Sequence, residues 1–271
     1  MRLLIAFVFL VFGLTACSKF AKVQKSTDYE YKLRMADQYY TKKKYNFAQQ
    51  LYEELFPILK GTERFEDVYY KYAYCAYYQK DFMNAENLFK GFTEVFPTSK
   101  RAEEMEFMRA YSFYRNSPKA ELDQTNTNKA IGLMQTFINT HPGSPKNKEA
   151  TEIIDLCRAK LELKEAKAAE LYFNIGQYKA AGVAYTNLMN NFPESEKGDA
   201  YKLQVIKSLY QYASLSIEER KEERYEQVIT ECHDFLDRYT ESKLAKEAER
   251  YLNLSQTNIK AIKNEQVKKA A

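Results

Sequence analysis

The sequence predicts an all-α protein built from about five repeated helical hairpins, and three observations carry that expectation. First, a pattern recurs along the chain: an aromatic residue, a small residue three positions later, then apolar residues four and three further on. It reads Tyr45-Ala48-Tyr52-Leu55, Phe82-Ala85-Phe89-Phe92, Tyr178-Ala181-Tyr185-Leu188 and Tyr225-Val228-Cys232-Phe235, with another copy, Ala130-Met134-Phe137, in which Thr127 holds the aromatic place. Such spacings put the side chains on one helical face. Second, a stop comes twelve residues after the small position: "FPTS" with Pro97, "HPGS" with Pro142, "FPES" with Pro193 and "YTES" with Thr240. Proline beyond a helix end prevents its continuation. Third, 271 residues, 45% of them hydrophobic, contain only 8 Gly and 6 Pro. That is enough apolar material for a sizeable core and little of the punctuation that many short strands need.

Taken in order, the chain begins with Met1-Arg2 and an apolar run from Leu3 to Leu14. The run is too short for a membrane-spanning helix, which needs roughly 20 residues, and it matches the basic start and apolar centre of a secretory signal peptide over residues 1–16. Leu14-Thr15-Ala16-Cys17 then resembles the bacterial lipobox. That resemblance implies cleavage before Cys17, acylation of its thiol, and a lipidated N-terminal linker over residues 17–28. Several acyl chains hold a protein on a bilayer where a single chain is marginal. Ser18, where an Asp would imply retention in the inner membrane, implies the outer membrane.

The helical array is expected over residues 29–258, in units of about 29–60, 64–99, 101–144, 146–195 and 199–242, then a C-terminal helix and a basic tail at 259–271. Each stop closes the second helix of a unit. The first helices carry their own mark: Ala36, Ala73 and Ala169 stand twelve residues before the small positions of their units, and small residues there let two helices approach closely. This arrangement resembles the tetratricopeptide repeat, a unit of ~34 residues, and implies a right-handed solenoid. The leading Trp of that repeat is absent, with Tyr69 in its place in the second unit. Excess length falls in Asn116 to Asn128, in Ser214 to Glu223 and in a long first helix of the fourth unit, from about Lys146 to Asn174.

Charge and chemistry narrow the function. Of 41 basic residues, Arg2 leaves with the signal peptide, so the mature chain has 40 basic against 37 acidic side chains, a net of +3 without the clustering that nucleic acid requires. Cys75, Cys157 and Cys232 lie inside helical patterns and read as small buried hydrophobes. His141 stands where Phe96, Phe192 and Tyr239 stand in other repeats and reads as a helix-end packing residue; His233 follows Cys232 and would point away from it. Glu103-Glu104, Glu218-Glu219 and Glu222-Glu223 read as solvated helix faces. No phosphate loop, zinc spacing or nucleophile motif is present, so neither an enzyme nor a cofactor or metal is expected. The second unit's first helix, "DVYYKYAYCAYYQKDF", offers Tyr70, Tyr74, Tyr77 and Tyr78 as a candidate peptide groove, where rings with hydroxyls suit peptide recognition.

The lipobox, the five units, "AYYQKDFMNAENLFKGFTEVFPTS" and "KEAKAAELYFNIGQYKAAGVAYTNLMNNFPES" together resemble the BamD family, lipoproteins of the outer-membrane β-barrel assembly machinery. The resemblance covers nearly the whole mature chain. It implies a periplasm-facing scaffold that binds the POTRA portion of a BamA-type barrel protein and helps deliver unfolded outer-membrane proteins. The partner would dock on the fourth and fifth units, roughly Lys164 to Tyr251, with Lys197 a candidate contact, and clients would use the tyrosine groove. The alternative is another periplasmic tetratricopeptide lipoprotein, coordinating cell-wall synthesis or division.

Overall fold

A computed structural model describes residues 19–270. Residues 1–18, including the proposed acylation site Cys17, and Ala271 lie outside the described residues. The helices pair in chain order: α1 (Tyr29–Thr41) with α2 (Tyr45–Leu59), α3 (Phe65–Tyr78) with α4 (Phe82–Val95), and α5 (Ala102–Arg115) with α6 (Thr125–Thr140). The 28-residue α7 (Asn147–Asn174) follows, paired with α8 (Tyr178–Asn191), then α9 (Gly198–Ser214) with α10 (Glu218–Arg238), and α11 (Ala245–Ala270). The described residues contain no strand, and none of their helices is long and apolar enough to cross a membrane.

The repeat pattern is the core. Ala48, Tyr52, Leu55, Ala85, Phe89, Phe92, Ala130, Met134, Val228, Cys232 and Phe235 are all fully buried, and Ala36, Ala73 and Ala169 face them from the first helices with no exposed surface. The turns that close three hairpins share one geometry. The N–H of Lys44, Asp81 and Gln177 bonds the carbonyl five residues back, at 2.8, 3.0 and 2.9 Å, while the preceding residue takes a left-handed conformation: Lys43 at φ 57°, Lys80 at φ 65° and Gly176 at φ 78°. In the third hairpin the long insertion is folded around Gln124, whose Nε2 donates to the carbonyls of Lys119 and Leu122 at 2.8 and 3.0 Å and whose Oε1 accepts from the buried Thr127 hydroxyl at 2.6 Å.

Each stop does more than end a helix. Phe96, His141, Phe192 and Tyr239 cap their helices with the same extended turn, at φ −125°, −124°, −132° and −120°. The serine three residues on then donates its hydroxyl to a carboxylate of the preceding first helix: Ser99 to Glu66 at 2.6 Å, Ser144 to Glu103 at 2.5 Å, Ser195 to Glu162 at 2.8 Å and Ser242 to Asp199 at 2.5 Å. The same oxygen accepts the N–H two residues further along, at 3.0 to 3.1 Å. The stop therefore ties a closing hairpin to the start of the next. Glu103 and Glu104, expected on a solvated face, are corrected by this geometry: Glu103 receives Ser144, and Glu104 receives Tyr70 and Tyr74.

The chain divides into an N-terminal body through Arg158 and a C-terminal body from Ala159, with the division inside α7. In the N-terminal body Ala150, Ile153, Ile154 and Cys157 of α7 complete the core around Phe107, Phe113 and Phe137. The C-terminal body has a core of Ala169, Tyr185, Leu188, Tyr201 and Val205, and another of Leu203, Ile206, Val228, Cys232, Phe235 and Ala248. Two stretches outside the expected hairpin units are helical. Residues 19–24, assigned to a linker, are helical, with Phe20 and Val23 buried. The tail expected at 259–271 continues α11 to Ala270, because Ile259 is buried, Lys263 pairs with Glu222 at 3.1 Å, and no Gly or Pro interrupts the run.

Candidate functional site

The tyrosines of α3 divide by depth. Tyr74 is 7% exposed, packed edge-on against Phe89, and donates its hydroxyl to Glu104. Burial first, then the Glu104 carboxylate, pushes its phenol far above the ordinary range. Its ring and hydroxyl are both used internally, which takes Tyr74 out of the expected groove. Tyr70 is half-buried, shares Glu104 at 3.2 Å and lies under the Arg101 guanidinium at 4.3 Å. Tyr77 and Tyr78 reach the surface. Tyr77 accepts from Arg115 at 3.2 Å, and the 46% exposed Tyr78 stacks on Tyr45 at 4.6 Å.

These rings form a ribbon: Tyr45 to Tyr78 at 4.6 Å, Tyr78 to Tyr77 at 5.6 Å, Tyr77 to Tyr111 at 6.2 Å and Tyr111 to Tyr114 at 5.7 Å. Arg115 covers one edge, 5.1 Å from the Phe82 ring. Tyr69, in the place of the repeat's Trp, points the other way into Phe56, Phe65, Phe92 and Phe96. Its hydroxyl would sit 2.3 Å from a Cβ on Gly91, so that position of α4 admits no side chain without displacing the ring.

A polar ladder that the sequence reading missed runs across the first helices. Glu30 bonds Arg64, Asp37 bonds Lys71, Asp67 bonds Arg101 and Tyr70 bonds Glu104, at 2.5, 2.8, 3.0 and 3.2 Å, each pair separated by 34 residues. That separation is three short of the 37 between the equivalent Ala36 and Ala73, so each rung joins a residue to one about a turn before its counterpart in the next unit, and complementary polar residues at that constant spacing were the legible signal. Lys71 also reaches Asp67 at 2.6 Å, and Tyr52 donates to Asp37 at 2.7 Å. Burial works against the Asp67 carboxylate, but Lys71 and Arg101 hold it below the usual range. A cleft of about 590 Å³ opens beside the ladder, lined by Glu30, Arg34, Asp37, Glu63, Arg64 and Asp67 with Leu33 and Val68.

In the C-terminal body Lys197 occupies the N-cap of α9 with its side chain 65% exposed, 3.9 Å from Glu162. Glu162 is itself engaged by Ser195 and, at 2.7 Å, by the Tyr201 hydroxyl, so Lys197 remains directed to solvent. Beside it lies a depression of about 370 Å³ lined by Glu196, Asp199, Arg238, Tyr239 and Glu241. Large apolar residues are exposed near hairpin turns of this body: Leu171 at 60%, Ile175 at 59%, Leu215 at 73% and Ile217 at 67%. The sequence reading passed over these because they fall outside the repeat pattern.

Among the described residues no group of His, Cys, Asp and Glu is placed to hold a metal ion. Burial pushes the Cys75 and Cys232 thiols up to about 12, which keeps them protonated. His141 packs 5.0 Å from Phe137 with its Nε2 2.8 Å from Glu106, and His233 is exposed.

The described residues thus form an all-α body of repeated hairpins that presents an aromatic ribbon and a polar ladder. Residues 27–225 match the YfiO family model, described as outer membrane lipoprotein, and the chain belongs to that family. A protein of Aquifex aeolicus (strain VF5) described as an outer membrane protein assembly factor, BamD, is 27% identical over 238 residues, covering 85% of this chain and 76% of that one. Among solved structures, the TPR2AB-domain:pHSP90 complex of yeast Sti1 overlaps 84% of this chain and 98% of its own at 13% identity and a TM-score of 0.39.

Proposed function

We propose that the chain is a lipid-anchored, periplasm-facing scaffold that helps assemble β-barrel proteins into the outer membrane. The observation that carries this reading is the family match over most of the folded body, together with a relative described as an assembly factor. On this reading Cys17 is the acylated first residue. The POTRA region of a BamA-type barrel protein docks along α9, with Lys197 at its N-cap as a charged contact and the exposed Leu215 and Ile217 beyond its other end as apolar anchors. Unfolded clients lie along the ribbon of Tyr45, Tyr77, Tyr78 and Tyr111, rings that an extended strand ending in an aromatic residue can stack upon.

Two measurements test it. Purified with the native envelope, the intact chain should co-purify with an integral barrel protein, and Lys197→Glu should weaken that capture ~10-fold or more, as reversing one charge at an interface does. Capture of a cell-wall enzyme or division protein in its place would transfer the scaffold to the alternative role. The mass of the N-terminal peptide should carry diacylglyceryl on Cys17; an unmodified Cys17 in membrane-derived protein would remove the anchor.

A further inference from the structure

We propose that the first hairpin carries a lysine face that docks on the anionic phospholipid headgroups of the membrane holding the anchor, so that this end of the protein lies against the bilayer. The proposal rests on the reading of Cys17 as acylated. Phe20 packs on Phe47 at 4.5 Å and on Tyr39 at 5.8 Å, the residues just after and just before the turn between α1 and α2. Four residues on, Gln24 donates to Glu54 at 3.0 Å, two turns further along α2 than Phe47. The segment over 19–24 therefore runs up α2 with its first residue at the turn. An anchor on Cys17 would be joined to Lys19 through a single residue, a reach of at most about 7 Å.

The basic excess reads as unclustered along the sequence, but the fold gathers part of it: that turn is Lys42-Lys43-Lys44, all exposed, and the packed segment adds Lys19, Lys22 and Lys25, also exposed. Among the described residues none of these six lysines forms an ion pair. Most acidic groups of the hairpin are engaged: Asp28 caps α1, Glu30 at its far end holds Arg64, Asp37 holds Lys71 and accepts Tyr52, and Glu54 holds Lys32 at 2.7 Å, while Glu53 is exposed on α2, nine residues beyond Lys44. Lys43 also keeps a left-handed backbone, φ 57°, at the position that Gly176 fills without strain in the fourth hairpin. Clustered basic residues beside a lipid anchor are attracted to anionic headgroups within a Debye length of the surface.

The test uses the acylated protein purified from envelopes and reconstituted in phosphatidylcholine vesicles, with or without about 30 mol% phosphatidylglycerol, an anionic lipid. Lysine acetylation by a water-soluble reagent is followed residue by residue. With phosphatidylglycerol, Lys19, Lys42, Lys43 and Lys44 should react ~5-fold more slowly and recover at about 1 M salt. Lys243, Lys246 and Lys260, exposed and in the C-terminal body, should not change. Equal rates at the first-hairpin lysines in both vesicles, or an equal slowing of all lysines, would overturn the docking face. The same digest reports the mass at Cys17. Acylated Cys17 with unprotected lysines defeats this proposal alone, whereas unacylated Cys17 defeats the anchor and with it the face.

Discussion

The two bodies of the chain meet a single repeat pattern with different materials. Through Arg158 the pattern is filled by rings: Ala85 beside Phe89 and Phe92, and Tyr52 beside Leu55, with phenol hydroxyls donated to Asp37 and Glu104. From Ala159 the fourth unit keeps a ring, Tyr185 beside Leu188, but the fifth reads Val228, Cys232 and Phe235, and a buried Lys202 on its first helix bonds Glu231 and Asp234 of its second. In both bodies the inward face is filled to contact and every deep polar tip named here has a partner. The pattern thus demands filled volume and satisfied tips, and leaves open which side chains supply them.

The largest test of this contrast compares the same repeat position in each body. Phe89→Ala should cost about 3–5 kcal/mol by leaving a cavity between α3, α4 and α5, whereas Cys232→Ala, a much smaller deletion, should cost about 1 kcal/mol. Denaturant unfolding of both variants reads the ratio, and equal losses would mean that Cys232 carries more of its hairpin than its size implies. A smaller effect tests the close approach. Ala85, with no exposed surface, should lose ~1–3 kcal/mol on Ala85→Leu. A melting temperature unchanged from the parent would show that the helices can separate there.

The smallest effect comes from pH. Burial raises Tyr40, Tyr52 and Tyr74 far above the usual phenol range in the N-terminal body, while in the C-terminal body Tyr201 is raised well above it, by burial and by Glu162. A raised folded pKa contributes stability that is complete below the unfolded value near 10 and is lost as pH rises through it toward the folded value. Lys71 and Lys202 are raised alike, their carboxylate partners outweighing burial, so they balance between the bodies. Tyr39, Tyr45, Tyr69, Tyr70, Tyr72 and Tyr77 are raised as well, against Tyr185 and Tyr225 in the C-terminal body, so as pH passes about 10 the N-terminal body should lose more stability than the C-terminal one. Brief proteolysis with mapped cuts should then open α1 to α5 first; cuts beginning in α9 to α11 would reverse the assignment.

The division inside α7 also reshapes any experiment on fragments. A piece ending near Ser144 would strip Ala150, Ile153, Ile154 and Cys157 from the third hairpin's core. No stop or glycine marks that division in the sequence, because a long helix can serve different cores along its length without any local change. The candidate groove was only half legible for a related reason. Tyr78 is exposed and Tyr77 half-buried, but Tyr74 is claimed by Phe89 and Glu104, residues of two other helices.

By itself the sequence determined what local chemistry controls. The faces of the helices followed from the spacing of Ala48, Tyr52 and Leu55 and their counterparts, the helix ends from Pro97, Pro142 and Pro193, and the close approaches from Ala36, Ala73 and Ala169. These are properties of one helix or one turn, set by the helical period, by a missing N–H and by side-chain size. The tertiary structure decided where polar tips found partners. It turned Glu103 and Glu104 from surface charges into acceptors for Ser144, Tyr70 and Tyr74, gathered residues 34 apart on neighbouring first helices into the ladder, folded 259–270 into α11, and seated Phe20 beside a turn of lysines. A hydroxyl or a charge is stabilised only by what another helix brings to it, and that is set when the hairpins stack.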